Sequence, residues 1–255
     1  MLELRNLYIG YGEDDKRTLV TEVLNASLSC GTLTCLIGSN GVGKSTLMRT
    51  ISGFLPPLHG DVYVRGKSIG EYDSKELSEV IGVVLTEKKI LADLTVEEVV
   101  ALGRVPYTNF WGSLVKADRE VVSEAIVLVG IEELRCRKIH QLSDGEYQKV
   151  MIAKALAQQT SVILLDEPTA FLDYPSKVAM MHLLRRLAHE QHKLIVLSSH
   201  DLDIAFQAAD QIWLLTREGM QAGTLGELAQ CGAISGFLDD ENLHFDVASH
   251  RIVLK

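Results

Sequence analysis

The sequence predicts an α/β protein with a mostly parallel core sheet, an antiparallel β edge and an inserted α-helical subdomain. Three observations lead to this fold class. Strand-length apolar runs alternate with helical patterns in the second half of the chain, which is typical of a parallel sheet covered on both faces. Alternating patterns in the first part of the chain predict antiparallel strands. A block with only helical patterns then separates the two strand-rich parts of the sequence.

Composition narrows the class of protein. The chain has 255 residues and a formal net charge of −9, which argues against a nucleic-acid partner held by phosphate neutralisation. No apolar run approaches the roughly 18 residues of a membrane helix, and the N-terminus does not have a signal-peptide pattern. The 4 cysteines are scattered, which favours ordinary reduced thiols over a disulfide framework or a metal site. We therefore expect a cytosolic protein or one that is peripheral to a membrane.

The first elements of the chain are predicted from short patterns. Apolar residues alternate at 1–9, which predicts an opening strand, and a second strand region follows at 20–28. Residues 33–37 are nearly all apolar, as in a buried strand. A helix is predicted to begin near Lys44, and the breaker at 56–60 separates it from a further alternating strand.

A phosphate-binding loop is predicted between the buried strand and that helix. Residues 38–45 read Gly-Ser-Asn-Gly-Val-Gly-Lys-Ser, which is the G-x-x-x-x-G-K-S pattern of a P-loop. Its backbone N–H groups can converge on a phosphate at the N-terminus of the helix. Lys44 is expected to reach the β- and γ-phosphates of ATP, and Ser45 to place its hydroxyl on Mg²⁺. The predicted nucleotide-binding residues of this loop are Gly38, Asn40, Gly41, Gly43, Lys44, Ser45 and Thr46.

Residues 86–141 are predicted to form the inserted helical subdomain, and 1–85 with 142–255 form the core. Thr95 and Glu98 have the spacing of a capping box and open the first helix of the insert. The remaining core elements are predicted as helices at 143–158, 175–190 and 201–209 and strands at 161–166, 194–198 and 211–216. The C-terminal segment 219–255 adds little chemistry: a turn is predicted at 223–227, and the rest is expected to be strand-like or capping structure.

Two core strands end in side chains suited to nucleotide chemistry. Asp166 and Glu167 follow an apolar run, and α/β sheets bind ligands at the carboxyl ends of their strands. Asp166 is expected to hold Mg²⁺, whereas Glu167 can accept a proton from an attacking water. His200 follows the next apolar strand. Its position is equally consistent with contact to the γ-phosphate and with a place beside a helix N-cap.

The order of these motifs resembles the ATP-binding cassette (ABC) ATPase family. Residues 142–146 read Leu-Ser-Asp-Gly-Glu and precede a helix. The chain contains the motifs of that family in the same order: the P-loop, the helical insert, L-S-x-G-x, a strand ending in Asp-Glu and a strand ending in His. The resemblance extends from Tyr11 to about Trp213. The resemblance implies a P-loop NTPase core with the ABC ATPase fold. It also implies a homodimer in which two nucleotide-binding domains enclose two ATP molecules head to tail.

The family pattern implies roles for individual residues. Tyr11 corresponds to the aromatic residue that stacks on adenine, with an unliganded turn tyrosine as the alternative. Ser143 and Gly145 would face the nucleotide of the partner subunit, and Asp173 corresponds to an acid that crosses the dimer interface. His200 corresponds to the switch histidine. The implied catalytic residues for ATP hydrolysis are Lys44, Glu167 and His200.

Three features depart from the family pattern. The signature is usually L-S-G-G-Q, whereas this chain has Asp144 and Glu146. Glu146 has capping-box spacing to the preceding serine, and Lys149 is a candidate to offset its charge. The family places a glutamine after the strand at 81–85, where this chain has Thr86 and Glu87. Thr86 retains a short hydroxyl, and we include it among the predicted metal ligands with Ser45 and Asp166.

The insert indicates a subgroup of the family. Residues 103–107 read Gly-Arg-Val-Pro-Tyr and resemble the insert of iron-siderophore, haem and cobalamin importer ATPases, although a plain loop between helices is the alternative. The resemblance implies a cassette at the cytoplasmic face of the membrane beneath two separate permease subunits. The insert would face the permease, and a substrate-binding protein would be an indirect partner.

Two other functions remain open on the sequence. One is a soluble ABC ATPase that drives assembly chemistry such as iron–sulfur cluster scaffolding, with no membrane partner. The other is an ATP-binding regulatory subunit with weak hydrolysis, which the unusual signature suggests. Four residues suited to hydrolysis are all present and argue against the second alternative, namely Lys44, Asp166, Glu167 and His200.

Overall fold

The computed structural model describes residues 1–12, 18–85, 93–108, 112–239, 243–246 and 251–254. The described strands are β1 (Leu2–Tyr11), β2 (Thr18–Leu28), β3 (Thr32–Ile37), β4 (His59–Val64), β5 (Lys67–Ser68), β6 (Ile81–Val84), β7 (Val162–Leu165), β8 (Leu194–Ser198), β9 (Gln211–Thr216), β10 (Gly219–Gly223), β11 (Leu243–Asp246) and β12 (Arg251–Leu254). The described α-helices are α1 (Lys44–Ile51), α2 (Ser74–Ser78), α3 (Val96–Ala101), α4 (Lys116–Val129), α5 (Asp144–Ala157), α6 (Tyr174–Glu190), α7 (Leu202–Ala208), α8 (Leu225–Gln230) and α9 (Ala233–Asp239).

The central sheet has the order β10-β9-β3-β8-β7-β6. All of its neighbouring pairs are parallel except β10, which runs antiparallel to β9. A second sheet, β2-β1-β4-β5, is antiparallel throughout. The predicted combination of a mostly parallel core sheet and an antiparallel edge is therefore confirmed.

The central strands are mostly apolar because both faces of the sheet are buried. On β3, Leu33 and Cys35 pack with the helices, whereas Leu36 packs with α1 and the antiparallel sheet. This alternation follows from the period of two in a strand. Burying one such leucine fully stabilises the fold by roughly 1.5–3 kcal/mol. The two apolar clusters fix the sheet between its layers and hold the loops at the strand ends in place.

Helices α3, α4 and α5 pack on one another beside the sheet. The predicted capping box is present at the start of α3, where the N–H of Thr95 donates to Glu98 Oε2 at 2.7 Å. A 3₁₀ segment, Leu102–Tyr107, follows α3 directly. A Cβ at Gly103 would lie 2.2 Å from the carbonyl oxygen of Lys154, so glycine is required here by the close approach of α5. The predicted boundaries of the insert stay a prediction, since 86–92 lie outside the described residues.

Arg104 ties this helical layer together. Its Nε donates to Asp118 Oδ1 at 2.9 Å, and its Nη1 donates to the carbonyl oxygen of Ala157 at 2.8 Å and to Gln159 Oε1 at 2.9 Å. The guanidinium also lies 4.0 Å from the centre of the Tyr107 ring. Arg104 therefore joins the segment after α3, the first turn of α4 and the end of α5. The Gly-Arg-Val-Pro-Tyr motif has a packing role in this fold.

The C-terminal segment covers one end of the helical side. Thr224 and Glu227 form a capping box that opens α8, at a place where the sequence suggested only a turn. Strands β11 and β12 form an antiparallel hairpin. Its Phe245 is fully buried and meets Phe206 of α7 edge to face, with ring centres 5.6 Å apart. None of the helices in the described part of the chain has the length and hydropathy needed to span a bilayer.

Candidate nucleotide-binding and hydrolysis site

The order of the central strands brings three sequence motifs to one edge of the sheet. Strands β3, β8 and β7 are consecutive and parallel, so their carboxyl ends lie side by side. The P-loop follows β3, His200 follows β8, and the two acids follow β7. Because β8 lies in the middle, its histidine can contact both the P-loop and the acids. The resulting site lies where α/β sheets bind their ligands.

The P-loop has the backbone that its glycines permit. Gly43 is the N-cap of α1 with φ 114°, and a Cβ there would lie 2.4 Å from Val20 Cγ1. A Cβ at Gly38 would lie 2.4 Å from the carbonyl oxygen of Leu215. A larger residue at either position would therefore displace neighbouring atoms. The first turn of α1 carries Lys44, Ser45 and Thr46, so the positive end of the helix is free of acidic side chains.

Lys44 lies across the mouth of this loop. Its Nζ donates to the carbonyl oxygens of Gly38 at 2.7 Å and Ser39 at 3.2 Å, and lies 3.5 Å from His200 Nδ1. Burial lowers the pKa of Lys44, while the negative charges of Glu167 and Asp166 act in the opposite direction. A bound phosphate would replace these two carbonyl acceptors by a negatively charged one, which the ammonium binds more strongly. Lys44 is thus placed to bind an anion in the loop.

His200 links Lys44 to Glu167. Its Nε2 lies 2.5 Å from Glu167 Oε1, and the Lys44 ammonium faces its other ring nitrogen. An ammonium can only donate, so Nδ1 is the acceptor and Nε2 carries the proton that is donated to the carboxylate. His200 also stands directly before Asp201, the N-cap of α7, as the alternative interpretation of its position expected, and its side chain is directed at the acid. The imidazole thereby fixes the direction of Glu167.

Tyr11 lies beside the first turn of α1. Its hydroxyl is 2.7 Å from Thr46 Oγ1, and the residue is 43% exposed. A cleft of about 390 Å³ is lined by Tyr11, Val20, Asn40, Gly41, Gly43, Lys44, Ser45, Thr46, Glu167 and His200. Tyr11 therefore borders the same cleft as the P-loop, Glu167 and His200. Adenine stacking on Tyr11 stays a prediction.

The signature motif begins α5 with a complete capping box. The N–H and Oγ of Ser143 both donate to Glu146 Oε2 at 2.8 Å, so the capping interpretation of this glutamate agrees with the structure. These bonds lower the pKa of Glu146, with smaller contributions from Arg137 and then Lys149. Arg137 Nη1 lies 3.7 Å from Glu146 Oε1. Arg137, which the sequence analysis overlooked, offsets the charge more than Lys149 does.

Several predicted site residues lie apart from the cleft within one chain. Ser143 and Gly145 are at the start of α5, and Asp173 caps α6 through a hydrogen bond from the N–H of Ser176 at 3.0 Å. None of the three is among the described residues that line the cleft. Their predicted contact with nucleotide requires a second subunit. Thr86 lies outside the described residues, so its metal role stays a prediction.

The model of the ABC transporter family matches residues 21–170, which is more than half of the chain. This chain belongs to the ABC transporter family. The family, the ABC ATPase fold and an ATPase activity coupled to transport were all predicted from the sequence, and the match confirms them. This ABC ATPase also binds ATP, as that family does.

Curated relatives and solved structures resemble this ABC ATPase over most of its length. An uncharacterized ABC transporter ATP-binding protein of Methanocaldococcus jannaschii is 42% identical over 84% of this chain and 73% of its own. The ferric enterobactin transport ATP-binding protein of Escherichia coli is 38% identical over 84% of this chain and 77% of its own. A solved transporter described as being of metal-chelate type has a TM-score of 0.80 at 26% identity, covering 93% of this chain and 88% of that one.

A solved cassette shows the relevant assembly in another protein. It is a dimer in a post-hydrolysis state bound to ADP and phosphate, with a TM-score of 0.74 and 27% identity. The match covers 88% of this ABC ATPase and 99% of that chain.

Sequence reasoning missed one hydroxyl beside the acids of this ABC ATPase. Ser198 ends β8, is fully buried, and its Oγ contacts both Asp166 and the backbone of Glu167. The available signal was a hydroxyl residue in the last place of an otherwise aliphatic strand. A serine there adds little apolar packing, so a polar partner could have been expected.

Proposed function

We propose that this chain is the ATP-hydrolysing subunit of an importer for a metal chelate of the iron-siderophore, haem or cobalamin kind. The observation that carries the hydrolytic part is the contact of His200 with both Lys44 and Glu167 at the edge of the P-loop cleft. The importer part is supported by relatives named for import of petrobactin, ferric enterobactin and iron-hydroxamate. A separate membrane permease would carry the substrate.

The chain's own groups account for a hydrolytic step. The P-loop N–H groups and Lys44 bind the β- and γ-phosphates and stabilise the charge that develops there. Glu167 places the attacking water and accepts its proton. His200 holds the Glu167 carboxylate through its Nε2–H, and is close enough to Lys44 to respond to phosphate in the loop. ATP and water thus give ADP and phosphate.

The donor atoms near the loop fit Mg²⁺. Ser45 supplies a hydroxyl at the first turn of α1, and Asp166 supplies a carboxylate at the end of β7. Mg²⁺ prefers oxygen ligands, one or two of them carboxylates together with substrate phosphates. Ser45, Asp166 and Thr86 would hold the ion. When bound, it would neutralise charge on the β- and γ-phosphates.

Two copies of the chain would complete the site. Ser143 and Gly145 of one subunit would meet the nucleotide held by the P-loop of the other, with Asp173 crossing the interface. Large exposed aromatic side chains next to Asp173 support an interface there, since Phe171 is 81% exposed and Tyr174 is 61% exposed. The dimeric relative bound to ADP and phosphate supports the same arrangement.

The assembly would lie at the cytoplasmic face of a membrane. Two permease subunits would dock on the helical subdomain 86–141, and a substrate-binding protein would act on the permease from the other side. Exposed apolar side chains around Arg104 support a docking role, namely Val105, Tyr107 and Val115. The chain would be peripheral and would contact no nucleic acid.

Uptake measurements in the source cells test the substrate class. The chromosomal copy is replaced by Glu167→Gln, and cells with equal amounts of the protein are supplied with a radiolabelled ferric siderophore, haem or cobalamin. Uptake of at least one of these chelates should fall to background, while uptake of an unrelated amino acid stays normal. Unchanged uptake of all three would contradict the proposed substrate class.

A further inference from the structure

Ser198 is a buried hydroxyl between the P-loop strand and the strand that carries the acids. It is the last residue of β8, its exposure is 0%, and the rest of β8 is aliphatic. Its backbone is paired with Leu36 of β3, the strand that leads into the P-loop. A polar side chain at such a place is satisfied by specific partners and not by water.

The side chain of Ser198 has two hydrogen-bond partners, one in Asp166 and one in Glu167. The N–H of Glu167 donates to Ser198 Oγ at 2.8 Å. The same hydroxyl donates its proton to Asp166 Oδ1 at 2.7 Å. A hydroxyl has one donor and two acceptor positions, so these two bonds use its proton and one lone pair. A single side chain thereby contacts the backbone of one acid and the carboxylate of the other.

The backbone of Glu167 needs such a restraint. Its φ is 49°, in the left-handed region that residues with a side chain seldom adopt. Such conformations persist where surrounding contacts determine them, and they occur at active sites. The direction of the Glu167 side chain depends on this backbone, and the carboxylate must reach His200 at 2.5 Å. A change in φ would move the carboxylate away from both the histidine and the cleft.

We infer that Ser198 is a positioning residue for ATP hydrolysis, which holds Glu167 in its left-handed conformation and fixes the orientation of the Asp166 carboxylate. The inference rests on the hydrolytic roles proposed above for these two acids. Ser198 acts through them and does not touch the nucleotide. Its removal leaves the P-loop contacts of Lys44 in place, since these are made to carbonyls of the loop itself.

The neighbouring serine provides a matched control. Ser199 is also buried, at 4% exposure, but its Oγ accepts the N–H of Asp201 at 3.1 Å before α7 begins. Ser198→Ala and Ser199→Ala therefore remove the same atom from adjacent buried residues. A loss of activity caused by general loosening of this segment should appear in both variants. A loss caused by misplacement of Asp166 and Glu167 should appear in Ser198→Ala alone.

The experiment compares four full-length proteins: wild type, Ser198→Ala, Ser199→Ala and Glu167→Gln. For each one, kcat, KM for ATP, the Mg²⁺ concentration for half-maximal activity and Tm are measured. Ser198→Ala is expected to lower kcat on the order of 10- to 100-fold, since a small misplacement of a catalytic group has effects of that size. Its KM for ATP should stay within about twofold, because phosphate binding by the loop is unchanged. Its Mg²⁺ requirement should rise, and Ser199→Ala should resemble wild type.

Other results would overturn the inference. A Ser198→Ala protein with the kcat and Mg²⁺ requirement of wild type would do so, as would equal losses in both serine variants. If Ser198→Ala does not fold, Ser198→Cys carries the test, because a thiol of similar shape donates only weakly and should lower kcat in the same direction. Glu167→Gln separates the two proposals. Full turnover in that variant contradicts the role of Glu167, whereas loss there with a normal Ser198→Ala contradicts the positioning role alone.

Discussion

Replacing Asp118 by alanine is expected to destabilise the protein by leaving a buried guanidinium without its counter-ion. Asp118 Oδ1 accepts the bond from Arg104 Nε at 2.9 Å, and both side chains are 8% exposed. Asp118 Oδ2 also accepts the N–H of Val115 at the start of α4. The substitution therefore removes one partner of a buried ion pair together with an N-terminal contact of a helix.

The expected loss can be worked out from these contacts. Removing one partner of a buried ion pair costs about 3–5 kcal/mol, because the remaining charge stays out of water. Arg104 keeps its bonds to Ala157 and Gln159 and its contact with Tyr107, which favours the lower end of that range. For a chain of this size each kcal/mol lowers Tm by about 2–4 °C. We therefore expect Tm to fall by about 6–12 °C.

Urea unfolding followed by circular dichroism measures the free energy of unfolding of Asp118→Ala and of a control on the same helix. Glu120 Oε1 lies 3.8 Å from Lys116 Nζ in an exposed i,i+4 pair, and the two side chains are 67% and 92% exposed. Glu120→Ala should change stability by less than about 0.5 kcal/mol. Equal small effects of the two substitutions would refute the reasoning, since burial of the pair is the basis of the predicted difference.

The difference in the free energy of unfolding between wild type and Asp118→Ala should also depend on pH, which gives a second check. The hydrogen bond from Arg104 holds the pKa of Asp118 below its ordinary value, and the N–H of Val115 acts in the same direction. A carboxyl with a lowered native pKa stabilises the fold above its unfolded pKa of about 3.9, and that stabilisation is lost as pH falls through the native pKa. The stability difference between wild type and Asp118→Ala should therefore become smaller in acid. A difference that grows in acid would contradict the stabilising role of the Asp118 carboxylate.

Two further predictions concern the nucleotide site. Glu146→Gln should leave ATPase activity intact or raise it, because glutamine keeps the hydrogen bonds with Ser143 and removes a negative charge. A many-fold loss of turnover would mean that the glutamate has its own catalytic role. Because burial lowers the pKa of Lys44, ATP affinity in a pH titration should weaken as pH rises, and should begin to do so below its ordinary pKa of about 10.4. Affinity that is constant through that pH would contradict the role of the Lys44 ammonium in phosphate binding.

The fold class could be predicted because the central strands carry a strong local signal. Runs such as 33–37 and 194–198 are apolar at all but one position each, since both faces of the sheet are buried. The order of the strands could not be predicted in the same way. The position of β8 between β3 and β7 is set by how the crossover helices pack, and no single stretch of sequence records it. That order determines which loops meet.

The site could be predicted where a motif gathers its residues in one short segment. The P-loop and the pair Asp166 and Glu167 are of this kind. Ser198 could not be recognised, because its partners are 32 and 31 positions away and depend on the register of neighbouring strands. Arg104 was noticed as a family marker, and its physical reason, a buried pair with a residue 14 positions away, became visible only in the structure.

Purification of the tagged chain from gently solubilised native membranes tests the central claim, that this ATPase drives transport through a separate permease. The account predicts that a polytopic membrane protein is recovered in an amount equal to that of the chain. The identity of that partner would then narrow the substrate. Recovery only from the soluble fraction, alone or with soluble partners, would contradict the importer and favour an ATPase that drives assembly chemistry.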